Sequence, residues 1–216
     1  GEGTVRLLAD LDPRFCGVRP AWTAEGLALE ARFLPADPLD WRIALDPGHG
    51  GDETGALALD GTPEKTLALA FARRLEATLR QAGFRHVSLT RTGDEAVSLA
   101  ERVRRIEAFG AQISLSLHYN ALPDGRDPWQ ARGVSTYWYY GHARPLAVAL
   151  QRALVAEAGR ADYGTLFDSL YLTRVPGCIA LLLELGFPIH PVEWPELLRE
   201  DVQARQAEAI ASGLLG

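Results

Sequence analysis

Hydrophobic positions along this chain change their period near residue 40. Upstream, short alternating runs at Thr4 to Leu8 and Leu27 to Phe33 are broken by Pro13, Gly17, Pro20, Pro35 and Pro38. Alternation at period two lays one face of an extended strand on a core, so two short strands are expected here. The segment Pro35-Ala-Asp-Pro38 marks a candidate boundary. Residues 1–40 therefore read as a short β-rich segment left over from a preceding domain, and residues 41–216 as the main domain.

From Trp41 onward, strands and helices alternate. Trp41 to Asp46 is a short apolar strand stopped by Pro47-Gly48. A helix is expected from Pro63 to Gln81, with Thr62 as N-cap and Pro63 at the first helical position. Leu67, Phe71, Leu75 and Leu79 recur every four residues on its inner face, and Gly83 ends it. Further helices are expected at Ala96 to Phe109, with Leu99, Val103 and Ile106 inward, at Pro145 to Ala158, and at Asp201 to Leu215. Strands are expected at His86 to Thr90, Gln112 to His118, Gly133 to Tyr139, Leu170 to Arg174 and Ile179 to Leu185. Such alternation predicts the α/β class, with a central, mostly parallel (mixed) sheet flanked by helices on both faces. In that class a site forms at the carboxyl ends of the strands.

Composition narrows the function. The 216 residues are 47% apolar and 23% charged, which suits one globular domain rather than a disordered chain. With 22 Lys plus Arg against 28 Asp plus Glu, the net charge of −6 argues against nucleic acid as a partner. The longest apolar stretch, Cys178 to Leu183, is far short of a membrane span. The opening residues do not resemble a signal peptide and the chain has no Met, so it reads as a processed or truncated piece. Absent Met and a single Asn fit a heat-adapted source; a GC-rich genome explains the preference for Arg over Lys equally well. Cys16 and Cys178 are too few for a disulfide framework, and either a single bridge or two buried thiols remains open.

The candidate chemistry stands where the strands end. The strand at 41–46 runs into Asp46-Pro-Gly-His49-Gly-Gly51, the strand at 112–117 ends in Ser116-Leu-His118-Tyr-Asn120-Ala121, and the strand at 179–183 ends in Leu183-Glu184-Leu-Gly-Phe187. Glu64 opens the helix after the glycine loop. Two His and one carboxylate are the usual ligand set of a hydrolytic zinc site, with a fourth position left for water. A second carboxylate nearby would supply acid/base catalysis. A Glu placed directly after Ile179-Ala-Leu-Leu-Leu183 is costly to bury without a partner, which a cation or a wet pocket would provide.

Taken in order, Asp46-Pro-Gly-His-Gly-Gly51, Gly61-x-x-Glu64-Lys65, Ser116-Leu-His-Tyr-Asn-Ala121 and Leu183-Glu-Leu-Gly-Phe187 resemble the zinc-dependent N-acetylmuramoyl-L-alanine amidases of the AmiC-like, amidase-3 type. Leu89-Thr-Arg91, Arg102 and Gly133-Val134 match as well, and the resemblance spans roughly residues 41–215. It implies a zinc-exopeptidase-like fold and one Zn²⁺ per chain held by His49, Glu64 and His118. It also implies Glu184 as catalytic acid/base, and cleavage of the amide joining the lactyl group of muramic acid to L-alanine. Peptidoglycan or muropeptides would then be the partner, in the periplasm or cell wall, outside the cytoplasmic membrane. Some such enzymes carry a plugging helix between the second His and the catalytic Glu. The 66 residues from His118 to Glu184 leave no room for one, so an open site is expected. Pro188-Ile-His-Pro191 departs from the family's usual continuation, which bears on the pocket rim.

Other positions keep two readings. Asp46 either orients a ligand His or caps the turn before Pro47. Asn120 either contacts substrate or bonds its own backbone. Arg174 either meets a stem-peptide carboxylate or lies on the surface. Arg91 and Arg102 are expected to hold loops through salt bridges, and His86, His142 and His190 to be surface or loop residues. Of Tyr137 to Tyr140, half are expected in the core and Trp138 or Tyr139 along a glycan groove. Two rival functions remain: a silent peptidoglycan-binding module, which loss of Glu64 or Glu184 would have signalled, and a zinc carboxypeptidase on the same fold.

Overall fold

Three apolar strands that all run the same way form the middle of the sheet: β3 (Arg42–Pro47), β5 (Ile113–His118) and β8 (Ile179–Glu184). The computed structural model describes residues 12–216. These central strands are almost wholly buried; β8 reads as a continuous apolar run, whereas β5 alternates Ile113, Leu115 and Leu117 with the buried Ser114 and Ser116. β4 (His86–Leu89) adds on in parallel beyond β3. On the other side, β6 (Val134–Trp138) pairs antiparallel with β8, and β7 (Asp162–Phe167) follows β6 in parallel. The order is β4-β3-β5-β8-β6-β7, so the sheet is mixed, as expected.

Helices cover both faces. The main core cluster lies between the sheet and α1 (Glu64–Gln81), α3 (Arg144–Ala156) and α5 (Glu200–Leu215), and joins Phe71, Leu75, Leu150 and Ile210 to Leu45, Leu115 and Leu181. On the other face α2 (Leu99–Phe109) sets Ile106 against Ala44 and Ala180. α1 begins one residue later than expected. Pro63 occupies the N-cap position and makes no side-chain cap bond. α2 begins three residues later than expected because Ser98 caps it, accepting from the Glu101 N–H at 3.2 Å. That shift turns Leu99 outward, at 50% exposure, while Arg102 and Ile106 form the buried face. A short helix, α4 (Glu193–Leu197), was not expected.

One expected strand is absent. Leu172–Arg174 forms a 3₁₀ turn with Leu172 buried in the smaller cluster, and the edge strand lies earlier, at β7. β7 is an edge strand whose residues are half-buried or exposed, so it carries no strong apolar signal.

The expected strand at Thr4 to Leu8 lies outside the described residues. Leu27 to Phe33 does form a strand, β2 (Gly26–Phe33), which pairs with β1 (Phe15–Thr23) in an antiparallel hairpin. Its base is fastened to the main sheet. The Arg32 guanidinium donates to the carbonyls of Gly110, Ala111 and Gly177 at 3.0, 2.7 and 2.5 Å, and the Val18 N–H donates to Pro176 at 2.7 Å. Its outer half exposes Trp22, Leu27 and Leu29. Cys16 and Cys178 are both buried free thiols. No described helix is long and apolar enough to cross a membrane.

Candidate active site and metal centre

The three strands that end at one edge deliver the candidate residues together. Parallel register sets Pro47 level with Leu117, and His118 level with Glu184. Past Pro47 the chain turns so sharply that His49 adopts φ +57°, a left-handed conformation rare outside glycine. Glu64, first residue of α1, faces back to this loop with its anion favoured by the helix N-terminus. Its Oε2 lies 3.1 Å from His49 Nε2, and its Oε1 lies 2.9 Å from His118 Nδ1. One ligand-capable atom from each of His49, Glu64 and His118 falls within 4.8 Å of the others.

Two backbone donors complete the carboxylate's surroundings. The Ala56 N–H donates to Oε2 at 2.9 Å and the Tyr119 N–H to Oε1 at 3.0 Å. Burial pushes the Glu64 pKa up, but the hydrogen bonds from His118 and His49 outweigh it and hold the carboxyl well below the usual range. Burial pulls His118 down while Glu64 and Glu184 raise it further, for a net upward shift. Glycine is required where the backbone passes closest to these groups. A Cβ on Gly48 would overlap the His118 ring, and one on Gly55 would come within 2.5 Å of Glu64 Oε2.

Glu184 is different. Its Oε2 is buried and has no hydrogen-bond partner. Burial, only partly offset by His118, pushes its pKa up to about 7. A carboxyl that titrates near neutrality next to a metal-capable cluster is suited to accept and return a proton.

The remaining expectations divide. Asp46 lies level with Ser116, and none of its hydrogen bonds goes to His49 or His118. Its buried carboxylate accepts from Thr90 Oγ1, from Ser116 Oγ at 2.8 Å and from Arg102 Nη1 at 2.8 Å. Arg102 in turn donates to the His49 carbonyl at 2.5 Å. Arg102 thus holds the loop through a buried salt bridge, while the hydrogen bonds of Arg91 all go to carbonyls. Asn120 Oδ1 accepts from the Ala121 N–H at 2.8 Å, which is the local backbone bond. Arg174 lies in the turn before β8, over the Tyr171 ring at 5.7 Å, and is not part of the cluster.

Glu193 had no sequence signal. It is fully buried and accepts from the Gly133 and Phe187 N–H groups at 3.0 and 2.9 Å and from Arg160 at 2.5 Å. It therefore ties the loop after Glu184 to the start of β6. His190, expected as a surface or loop residue, lies in the loop before α4 but is buried, and its Nδ1 accepts from the Val192 and Glu193 N–H groups at 3.2 Å. His142 is half-buried and stacks on Tyr140 with ring centroids 5.6 Å apart. Tyr139 stacks on Phe167, and Trp138 meets the same ring edge-on.

Comparison with known proteins agrees with this geometry. The family model for N-acetylmuramoyl-L-alanine amidase matches residues 43–215. A probable cell wall amidase LytH of Staphylococcus epidermidis is 35% identical over 188 residues, covering 84% of this chain and 60% of that protein. Its Staphylococcus aureus counterpart is 34% identical over 176 residues, covering 80% and 56%. The chain thus spans about 60% of the length of these relatives. Among solved structures, N-acetylmuramoyl-L-alanine amidase AmiC2 of Nostoc punctiforme superposes with a TM-score of 0.74 at 32% identity, covering 81% of this chain and 95% of that one. An N-acetylmuramoyl-L-alanine amidase of Clostridium difficile 630 gives 0.76 at 28% identity, covering 82% and 95%.

Proposed function

The chain belongs to the N-acetylmuramoyl-L-alanine amidase family, amidase-3 type, and from that premise we propose that it is a zinc-dependent hydrolase of peptidoglycan. The bond cut is the amide between the lactyl group of N-acetylmuramic acid and L-alanine. Residues 41–216 form the catalytic domain in this reading, and the cell wall outside the cytoplasmic membrane is where it works. The observation that carries it is the pairing of two unlike carboxylates: Glu64 gripped by two histidines, and Glu184 buried with one free oxygen.

The donor set fits a zinc ion. Two imidazole nitrogens and one carboxylate oxygen converge, leaving the rest of a tetrahedral shell for water or substrate. When bound, zinc acidifies a water molecule and polarises the scissile carbonyl. His49 and His118 would each offer a ring nitrogen, and Glu64 stays anionic because the Ala56 and Tyr119 N–H groups donate to it. Glu184 takes a proton from the attacking water at its free Oε2. The water oxygen bonds to the lactyl carbonyl carbon, the carbon–nitrogen bond breaks, and Glu184 returns the proton to the leaving amine of L-alanine.

Zinc content and muropeptide hydrolysis, measured for the wild type beside Glu184→Ala, test this. The expected result is about one zinc per chain in both proteins, with L-alanine-terminated stem peptides released by the wild type alone. A wild type that binds no zinc overturns the reading. So does a Glu184→Ala variant that turns over at the wild-type rate.

A further inference from the structure

His49 and Glu64 are joined by a glycine-bearing stretch that holds no helix or strand, only isolated bridges at Gly50–Glu53 and Leu57–Pro63. Its own bonds hold residues 54–56 to the start of α1, through Glu64 N–H to Ala56 at 2.8 Å and Lys65 N–H to Thr54 at 3.0 Å, but the fixing of residues 47–51 comes from outside it. We propose that the segment after β4, acting through Arg91 and Asp94, sets the spacing between His49 and Glu64 and with it the affinity of the centre for its metal. The inference rests on the metal-centre reading above.

Arg91 is 1% exposed. Its guanidinium donates to the Pro47 carbonyl at 3.0 Å and the Gly48 carbonyl at 2.7 Å, directly before His49. The same group donates to the Lys65 carbonyl at 2.8 Å, directly after Glu64, and to Gly93 at 2.9 Å. One rigid planar fork therefore spans the two segments that carry the ligands. A second link runs beside it, nearer the surface. Lys65 Nζ donates to the Gly51 carbonyl and to Asp94 Oδ2, both at 2.7 Å, and Asp94 Oδ1 accepts from the Gly51 N–H at 2.9 Å. Residues 91 and 94 thus grip the His49 loop on both sides and tie it to the first turn of α1. Neither residue touches a ligand atom, so both are positioning residues. Burying a guanidinium whose bonds go to carbonyls is costly. A smaller apolar side chain would serve if packing were its only role, whereas four fixed donors serve spacing.

The link is tested with metal-stripped full-length protein and a chelator competition that reads the zinc dissociation constant, with the metal-free unfolding midpoint as a check on folding. Arg91→Lys keeps the charge but lacks the fork, and Asp94→Ala removes an exposed acid and leaves Lys65 with the Gly51 carbonyl alone. Asp37→Ala removes an equally exposed acid that pairs with Arg85, and serves as control. Arg91→Lys is expected to weaken zinc binding about 10- to 100-fold, and Asp94→Ala about 10-fold, with the control unchanged. Zinc affinity within about twofold of wild type in the folded variants overturns the proposal. If Arg91→Lys does not fold, Asp94→Ala decides. If the wild type itself binds no zinc, the metal centre falls and this inference with it. Tight binding by every variant removes the spacing role and leaves the centre standing.

Discussion

Glu64 and Glu184 are two buried carboxylates of one site, and their surroundings drive them to opposite protonation states. Glu64 receives two backbone N–H donors and two imidazoles, and its charged form wins despite burial. Glu184 is only partly buried as a residue, but its buried Oε2 has no donor, so desolvation wins and its pKa rises to about 7. Residue type is the same in both, and the more deeply buried of the two, Glu64, is the one that stays charged. The number of donors within reach decides which carboxyl stays charged and which can exchange a proton at neutral pH.

The comparison breaks most visibly if the base is removed. Glu184→Gln is expected to lower kcat about 10²- to 10⁴-fold while zinc content stays at the wild-type level; steady-state kinetics beside metal analysis checks this. Glu64→Gln makes the opposite cut. It is expected to abolish stoichiometric zinc binding in metal analysis, and to destabilise the fold by about 1–3 kcal/mol in denaturant melts, since the donors around it lose a charged acceptor.

pH separates the two residues further. Proton abstraction needs Glu184 ionised, so kcat should rise with pH and then level off, with the bound dication drawing the midpoint below the metal-free value of about 7. Stability should move the other way. The folded carboxyl keeps its proton up to about 7, while the unfolded one loses it near its ordinary value of 4.5. The folded state therefore binds more protons in that window, and stability falls as pH rises through it. For the metal-free protein the loss is on the order of 3 kcal/mol. Melts from pH 4.5 to 8 should show a larger loss in the wild type than in Glu184→Gln, which keeps only the part due to His118 and should be the more stable protein at pH 8. The smallest effect is expected at Ser135. It sits level with Glu184 on β6 but makes no hydrogen bond to it. Ser135→Ala should leave the midpoint of the kcat profile within about 0.3 pH units, well below the shift a lost hydrogen bond to the carboxylate would produce.

The parts of the site readable in the sequence were those fixed by local grammar. His49, His118 and Glu184 stand where apolar runs stop, and Glu64 stands where a helix starts, so strand ends and the family motifs pointed to all four. Glu193 had no such grammar. Its partners Arg160 and Gly133 lie 33 and 60 residues away, and only the finished fold brings them together. Asp46 carried two expectations and met a third fate, because register and not sequence distance placed it opposite Ser116. The same holds for the fold. The buried central strands were plain as apolar runs, whereas half-exposed β7 was missed and the turn at Leu172–Arg174 was read as a strand. Leu99 was assigned to the core on spacing alone, but the Ser98 cap started the helix there and turned it to solvent.

The reversal of β6 has a consequence for how this scaffold can change. Parallel neighbours need a crossover that leaves one edge of the sheet and returns to the other, which constrains what can be inserted between them. β5 ends, and antiparallel β6 begins, at the same edge, with the end of β8 between them. The connection over residues 119–133 therefore passes across the mouth of the cleft at Glu184 and has no far edge to reach. Lengthening or trimming it leaves strand order and handedness untouched, so this span is where lineages or engineers can adjust access to Glu184 without rebuilding the domain.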